Sequence, residues 1–185
     1  MLLFCGPSGS GKTTIVHYML AKDERLGFSV SATTRKKRNT EIDGKDYHFI
    51  SVRQFENKIV EDEFVEWEMV YVNGYYGTLH DEVNRILAAG KVPVFDLDVV
   101  GGLSIKKRFR EKVLSVFVSP PDIDALRQRL TARATESDED LKRRLDKAFN
   151  EMTFADRFDK ILVNINKDES CHQAEQWVNE FLNNK

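Results

Sequence analysis

Cysteine is scarce in this chain: only Cys5 and Cys171, near opposite ends of 185 residues. A disulfide-stapled scaffold is therefore excluded, and reduced thiols in a cytoplasmic protein are expected. No apolar run is long enough to span a bilayer, so no membrane partner is expected. The opening Met1-Leu2-Leu3-Phe4-Cys5 is apolar, but it is too short for a signal peptide, lacks a charged leader and stops at Gly6-Pro7, where a strand would end. Net charge is also lacking. With 28 basic and 30 acidic residues the formal balance is -2, which excludes a globally basic nucleic-acid binder. Internal repeats and low-complexity linkers are absent. What remains is an ordinary globular balance, 41% hydrophobic and 31% charged, at a length that suits one α/β domain with room for a lobe or lid.

Read by period and punctuation, strands alternate with helices. Residues 2–5 make a short apolar strand, followed by a Gly-rich turn and a helix through about residue 22. A β-like run over 28–34 leads into a basic segment. From there to about 78 the pattern changes: short β-like pieces at 46–50, 64–70 and 75–78 surround one helix over about 51–62, as in a small mixed lobe inserted into the main domain. Alternation resumes with a helix over 79–89, a strand over 92–95, a short helix, a strand over 113–118, two charged helices, a strand over 161–163 and a closing helix to about 181. This order predicts a parallel sheet flanked by helices on both faces, with ligands bound beyond the carboxyl ends of the strands. The loops after Cys5, Ser31, Phe95 and Val118 are the candidate site loops.

Gly6-Pro7-Ser8-Gly9-Ser10-Gly11-Lys12-Thr13 fits G-x-x-x-x-G-K-[ST] at every fixed position and lies between a strand and a helix, with Thr14 continuing that helix. Glycines let consecutive N–H groups point at phosphate oxygens, and the helix N-terminus adds a favourable dipole end. Lys12 would bridge the β- and γ-phosphates of a nucleoside triphosphate, and the Thr13 hydroxyl would ligate Mg²⁺. The strand ending in Phe95 delivers Asp96-Leu97-Asp98 to the same edge. An acid there, Asp96 or Asp98, can hold Mg²⁺ through its water shell or orient a substrate amine; alternatively Asp98 simply caps the next helix.

Arg35-Lys36-Lys37-Arg38 follows the strand beside this cradle, with Tyr47 further on; guanidinium forks and a tyrosine hydroxyl suit a phosphate. Glu66 lies between apolar neighbours. If drawn inward it could accept from guanine N1–H and the exocyclic amine, a donor pair adenine lacks; alternatively Glu66 and Glu68 alternate outward. After an N-cap at Ser137, the residues Leu141, Leu145, Ala148 and Met152 recur at helical spacing. Arg144 flanks that stripe, while Arg143 points nearly opposite it.

Together these residues resemble the guanylate kinase family over nearly the whole chain. The most specific stretch is Ser31-Ala32-Thr33-Thr34-Arg35 through Arg38, with Gly44-Lys45-Asp46-Tyr47-His48-Phe49. Glu66-Trp67, Tyr76-Gly77-Thr78, Asp96-Leu97-Asp98 with Gly101, the lid-like run from Arg129 to Glu136, Arg144-Leu145 and Val163-Asn164 complete it. Lys37, Asn39-Thr40, Val100, Ala134 and Ile165 depart from the family pattern. An extra residue in Asn73-Gly74-Tyr75-Tyr76 makes Tyr75 compete with Tyr76 for the phosphate, and adjacency to Gly77-Thr78 favours Tyr76. The resemblance implies a P-loop core over 1–30, 79–125 and 155–185, a GMP-binding lobe over about 31–78 and a helical lid over about 126–154. It implies that Arg35, Arg38, Tyr47 and Tyr76 hold the GMP phosphate, that Ser31, Glu66 and Thr78 read guanine with Asp98 nearby, that Arg133 and Arg144 swing onto the transferring phosphoryl, and that Asn164 lies near the adenine of ATP. The expected reaction is Mg²⁺-dependent in-line transfer from ATP to GMP by a monomer or homodimer. Two other readings compete: a non-catalytic module of the same fold that binds protein partners, and a kinase for another small phosphorylated substrate.

Overall fold

The computed structural model describes residues 1–131 and 138–183. In chain order, β1 (Leu2–Cys5) leads to α1 (Lys12–Lys22). Next, β2 (Leu26–Phe28), β3 (Ala32–Thr33) and β4 (His48–Phe49) precede α2 (Val52–Val60). The strands β5 (Phe64–Tyr71) and β6 (Gly74–Leu79) lead to α3 (His80–Ala88). Then follow β7 (Val92–Leu97), α4 (Val99–Phe109), β8 (Leu114–Ser119), α5 (Ile123–Thr131), α6 (Asp138–Met152), β9 (Lys160–Val163) and α7 (Lys167–Asn183). By packing, the chain divides into two units, Met1–Glu24 with Asp96–Lys185, and Arg25–Phe95.

In the first unit β8 pairs in parallel with β1 on one side and β9 on the other. The β1 side chains are all buried. That is why Leu2-Leu3-Phe4-Cys5 reads as an unbroken apolar run, as expected for a strand covered on both faces. The helices α1 and α4 pack on β1, and α7 packs on α1 and β9. The approach of α4 is close. A Cβ on Gly102 would stand 2.0 Å from the Cys5 sulfur, so this helix position admits no side chain.

In the second unit β2 pairs in parallel with β7. A separate four-stranded sheet has the order β4-β3-β6-β5. Its core is built on Ala32, Phe55 and Phe64, with Ile50, Ile59, Tyr75 and Leu79 packed around them. The Phe55 ring stacks on Phe64 and Tyr75 at 4.3 and 5.1 Å between centroids. A capping box between Ser51 and Gln54 starts α2 and aims Phe55 inward.

The single β-like run expected over 28–34 is a correction. The chain forms β2 and β3, which belong to different sheets. Ser29 N–H still donates to the Val94 carbonyl beyond β2. The next amide, Val30, donates instead to the Glu82 carboxylate at 3.3 Å. A side chain thus takes the donor a ladder would need, and the strand breaks there.

Candidate active site

The phosphate loop turns sharply out of β1. Gly6 has φ +140° and Gly11 has φ +101°; a Cβ would lie 2.2 Å from the Val118 carbonyl oxygen at the first and 2.2 Å from the Asn164 amide nitrogen at the second. Only glycine suits either place. The turn is closed by Ser10 N–H donating to the Pro7 carbonyl at 3.1 Å. Behind it, the Asn164 side-chain amide donates to the Ser10 carbonyl at 2.7 Å, and the Arg129 guanidinium spans the Ser10 and Asn164 carbonyls at 3.3 and 2.8 Å. Arg129, the first residue of the lid-like run, fastens this loop. The Lys12 side chain is buried, and its ammonium donates to the Gly6 and Pro7 carbonyls at 2.7 and 3.1 Å. Arg144 donates to the Ser8 hydroxyl at 2.5 Å, so the expected guanidinium does stand at the loop. Arg133 lies outside the described residues.

Thr13 opens α1 and donates its hydroxyl to Asp96 at 2.6 Å. Burial pushes the Asp96 carboxyl up from its ordinary value, while Lys12 and the Thr13 hydroxyl pull it back. A hydroxyl and a carboxylate held this close are hard oxygen donors on one side of the loop, a set that fits Mg²⁺. Asp98 occupies the N-cap position of α4, yet its side chain makes no cap hydrogen bond. It receives the Lys147 ammonium at 2.8 Å instead.

In the second unit the register of the mixed sheet decides which side chains share a face. Phe64 pairs with Leu79, but Glu66 pairs with Thr78, so one extra residue bulges between them. The bulge turns Glu66 away from the face where Phe64 packs on Phe55. Glu66 is buried at 8% exposure, and Thr78, fully buried, donates its hydroxyl to it at 2.6 Å. The inward reading of Glu66 is the one realised. Ser31 is buried next to β3, and its carbonyl accepts from His48 N–H at 2.9 Å. The same register separates Tyr75 from Tyr76. Tyr75 stacks in the aromatic core, while Tyr76 meets Tyr47 edge-on at 6.0 Å. Arg35 lies over the Tyr47 and Phe49 rings at 4.9 and 5.4 Å and forks onto Glu41 at 2.5 and 2.7 Å. That fork holds the Glu41 carboxyl below its usual range against the opposing effect of burial. Arg38 is mostly exposed and lies 3.7 Å from Glu41. Arg35, Tyr47 and Tyr76 are thus one cluster, with Arg38 at its edge.

The guanylate kinase family profile matches residues 1–181. The chain belongs to the guanylate kinase family. A guanylate kinase of Bacteroides thetaiotaomicron is 46% identical over 183 residues, covering 99% of this chain and 90% of that one. A guanylate kinase of Chlorobium chlorochromatii is 43% identical over 98% of this chain and 95% of its own length. Among solved structures, a guanylate kinase from Anaplasma phagocytophilum shares the fold with a TM-score of 0.78 at 24% identity, covering 97% of this chain and 84% of that one.

Within this family fold the sequence reading missed one group of residues. Glu151, on α6, is buried. Burial first, then the Asp98 charge, pushes its carboxyl up to about 7, with Lys147 opposing. The signal was available: counted from Arg144, Lys147 and Glu151 fall at i+3 and i+7, on the same helix face. The folded state therefore binds the Glu151 proton more tightly than the unfolded chain does, between its ordinary value of 4.5 and about 7. Stability from this group is present below that window and is lost as pH rises through it. Glu151→Gln should remove the dependence. Between about pH 5 and pH 8, denaturant unfolding should shift in favour of the variant over wild type by on the order of 2 kcal/mol. An equal difference at both pH values would show that Glu151 titrates like an ordinary carboxyl.

Proposed function

We infer that this chain transfers the γ-phosphoryl group of ATP to GMP, giving ADP and GDP. The observation that carries the reading is a complete phosphate loop, with Lys12 buried in it and Thr13 on Asp96, in a chain that belongs to the guanylate kinase family throughout. A module that had given up catalysis would have no use for these groups.

In this reading Lys12 exchanges its two loop carbonyls for β- and γ-phosphate oxygens, a stronger partner for an ammonium than neutral carbonyls. Arg144, already at Ser8, and Arg133 neutralise charge on the phosphoryl group in flight, which passes directly to the acceptor without a covalent enzyme intermediate. Magnesium bound with ATP would neutralise phosphate oxygens, held by the Thr13 hydroxyl and, through water, by Asp96. Gly6 to Thr14 cradle the triphosphate, and Asn164 supports the loop beside the adenine. Arg35, Arg38, Tyr47 and Tyr76 hold the GMP phosphate. The carboxylate now in the Arg35 fork presents the same paired oxygens a phosphate would. Ser31, Glu66 and Thr78 read guanine, with Asp96 and Asp98 as further acceptors for its amine. In this reading the protein acts as a monomer or a homodimer. Both cysteines are buried and outside any disulfide, in keeping with a reducing cytoplasmic compartment. Among the described residues no helix is long and apolar enough to cross a membrane.

An ADP-release assay across GMP, AMP, CMP and UMP tests the reading. GMP should be used at least about a hundredfold more efficiently than the others, the scale at which a site built around donor pairing discriminates. No ADP release with any monophosphate would favour the non-catalytic binding module. Preference for another acceptor would favour the other kinase.

A further inference from the structure

Two carboxyls and one ammonium meet behind the phosphate loop. Lys147 reaches Asp98 at 2.8 Å and Glu151 at 3.4 Å. The second contact lacks hydrogen-bond geometry, and the buried Glu151 Oε1 accepts no hydrogen bond from the described residues. Three residues earlier on α6, Arg144 holds Ser8. The helix thus touches the site machinery at two points along one face, the loop through Arg144 and the end of β7 through Lys147.

We propose that Lys147 is a positioning residue: by holding Asp98, it fixes α6 where Arg144 can serve the transferring phosphoryl group. The proposal rests on the kinase reading above and extends it to a residue outside the nucleotide contacts. The two Lys147 contacts make separable contributions. The Lys147 and Asp98 side chains are each about a third exposed, at 31% and 37%, and such a pair adds little to stability. Its consequence is geometric: α6 packs on α5 through Leu141, Leu145 and Ala148, and the Lys147–Asp98 pair, with Arg144 on Ser8, ties that packed helix to the site edge. The Glu151 contact is the reverse. It compensates a buried carboxylate, which matters for stability, but it lies within one helix turn and cannot anchor the helix to anything else.

Neutralising both members of the Glu151 contact should therefore repair stability without repairing the anchor. Lys147→Met should lower kcat about tenfold and leave KM for ATP within about twofold, since the Lys147 anchor is on Asp98 and not on the phosphate loop that holds ATP. It should also lower Tm. Adding Glu151→Gln should restore Tm while kcat stays low. Lys147→Arg, which keeps a cation on a long stem, should retain most of the wild-type kcat. Hydrogen exchange across α6 gives a readout independent of turnover: it should be faster in both methionine variants than in wild type. Recovery of kcat together with Tm in the double variant would reduce Lys147 to a structural residue and overturn the proposal. So would unchanged α6 exchange, or an arginine variant as slow as the methionine one. If wild type itself released no ADP with GMP, the kinase reading would fall, and the exchange experiment would still decide whether Lys147 places the helix.

Discussion

Lys12→Ala should lower kcat by on the order of a hundredfold or more, and stability by no more than about 1 kcal/mol. The side chain is buried, with its ammonium on the Gly6 and Pro7 carbonyls. Those bonds are made to neutral acceptors that the loop already turns toward itself. Their loss is offset in large part by no longer holding a charge out of water. In the transition state the position is different. Negative charge spreads over the transferred phosphoryl, and a preorganised ammonium in a water-poor site acts on it with no reorganisation. Removing one such donor costs roughly 3 kcal/mol, which is the expected loss of rate. Lys12 also opposes the rise of the Asp96 carboxyl, so its loss should weaken the carboxylate on the metal side as well. Steady-state turnover with saturating GMP, together with thermal unfolding, checks the expectation. Turnover within about threefold of wild type would remove Lys12 from the machinery. A collapse of stability instead would mean that the loop needs the lysine to fold.

What could be read from the sequence is what is fixed locally. The loop from Gly6 to Thr13 is legible because every constraint on it, the positive-φ glycines and the helix start, lies within a few consecutive residues. The strands β1, β7 and β8 are legible because a parallel strand covered on both faces needs a near-continuous apolar run. Arg144 could be placed because helix periodicity fixes its face. What the sequence left open or missed depends on partners distant in the chain. Val30 leaves its ladder only because Glu82, fifty-two positions away, takes its amide. Lys147 and Glu151 look like two charges on a charged helix until Asp98 is brought beside them. Tyr75 and Tyr76 are alike in type; adjacency to Gly77-Thr78 favours Tyr76, and the pairing of β6 with its neighbours puts Tyr75 in the aromatic core and Tyr76 beside Tyr47. Glu66 is the sharpest case. Simple alternation along β5 would keep it on the face of Phe64, and the bulge that reverses this has no signature in Phe64-Val65-Glu66 itself.

Glu66→Gln should lower kcat/KM for GMP by about 30- to 1000-fold and leave ATP binding nearly unchanged. In the fold, one Glu66 oxygen already accepts the Thr78 hydroxyl at 2.6 Å, in a pair buried between two strands. That bond orients the carboxylate, and glutamine can keep it by presenting its carbonyl oxygen to Thr78. The amide NH₂ must then take the place of the other acceptor oxygen. Guanine offers two adjacent donors, N1–H and the exocyclic amine, so the substitution sets donor against donor where an acceptor stood. A lost hydrogen bond plus an opposed donor in a desolvated place costs roughly 2–4 kcal/mol, which sets the expected range. In the proposed reading ATP is held by the phosphate loop of the first unit, whereas Glu66 belongs to the second, so ATP affinity gives an internal control. AMP need not become a good substrate, because Ser31 and Thr78 still present a surface matched to guanine. The decisive measurement is kcat/KM for GMP, taken with ATP affinity, in wild type and variant. A loss of less than about threefold would mean that guanine is read elsewhere, and that the Glu66–Thr78 pair serves only to join β5 to β6. A parallel loss of ATP affinity would point to damage spreading through the fold; retention of ATP affinity with GMP efficiency reduced as expected would leave Glu66 as the residue that chooses the base.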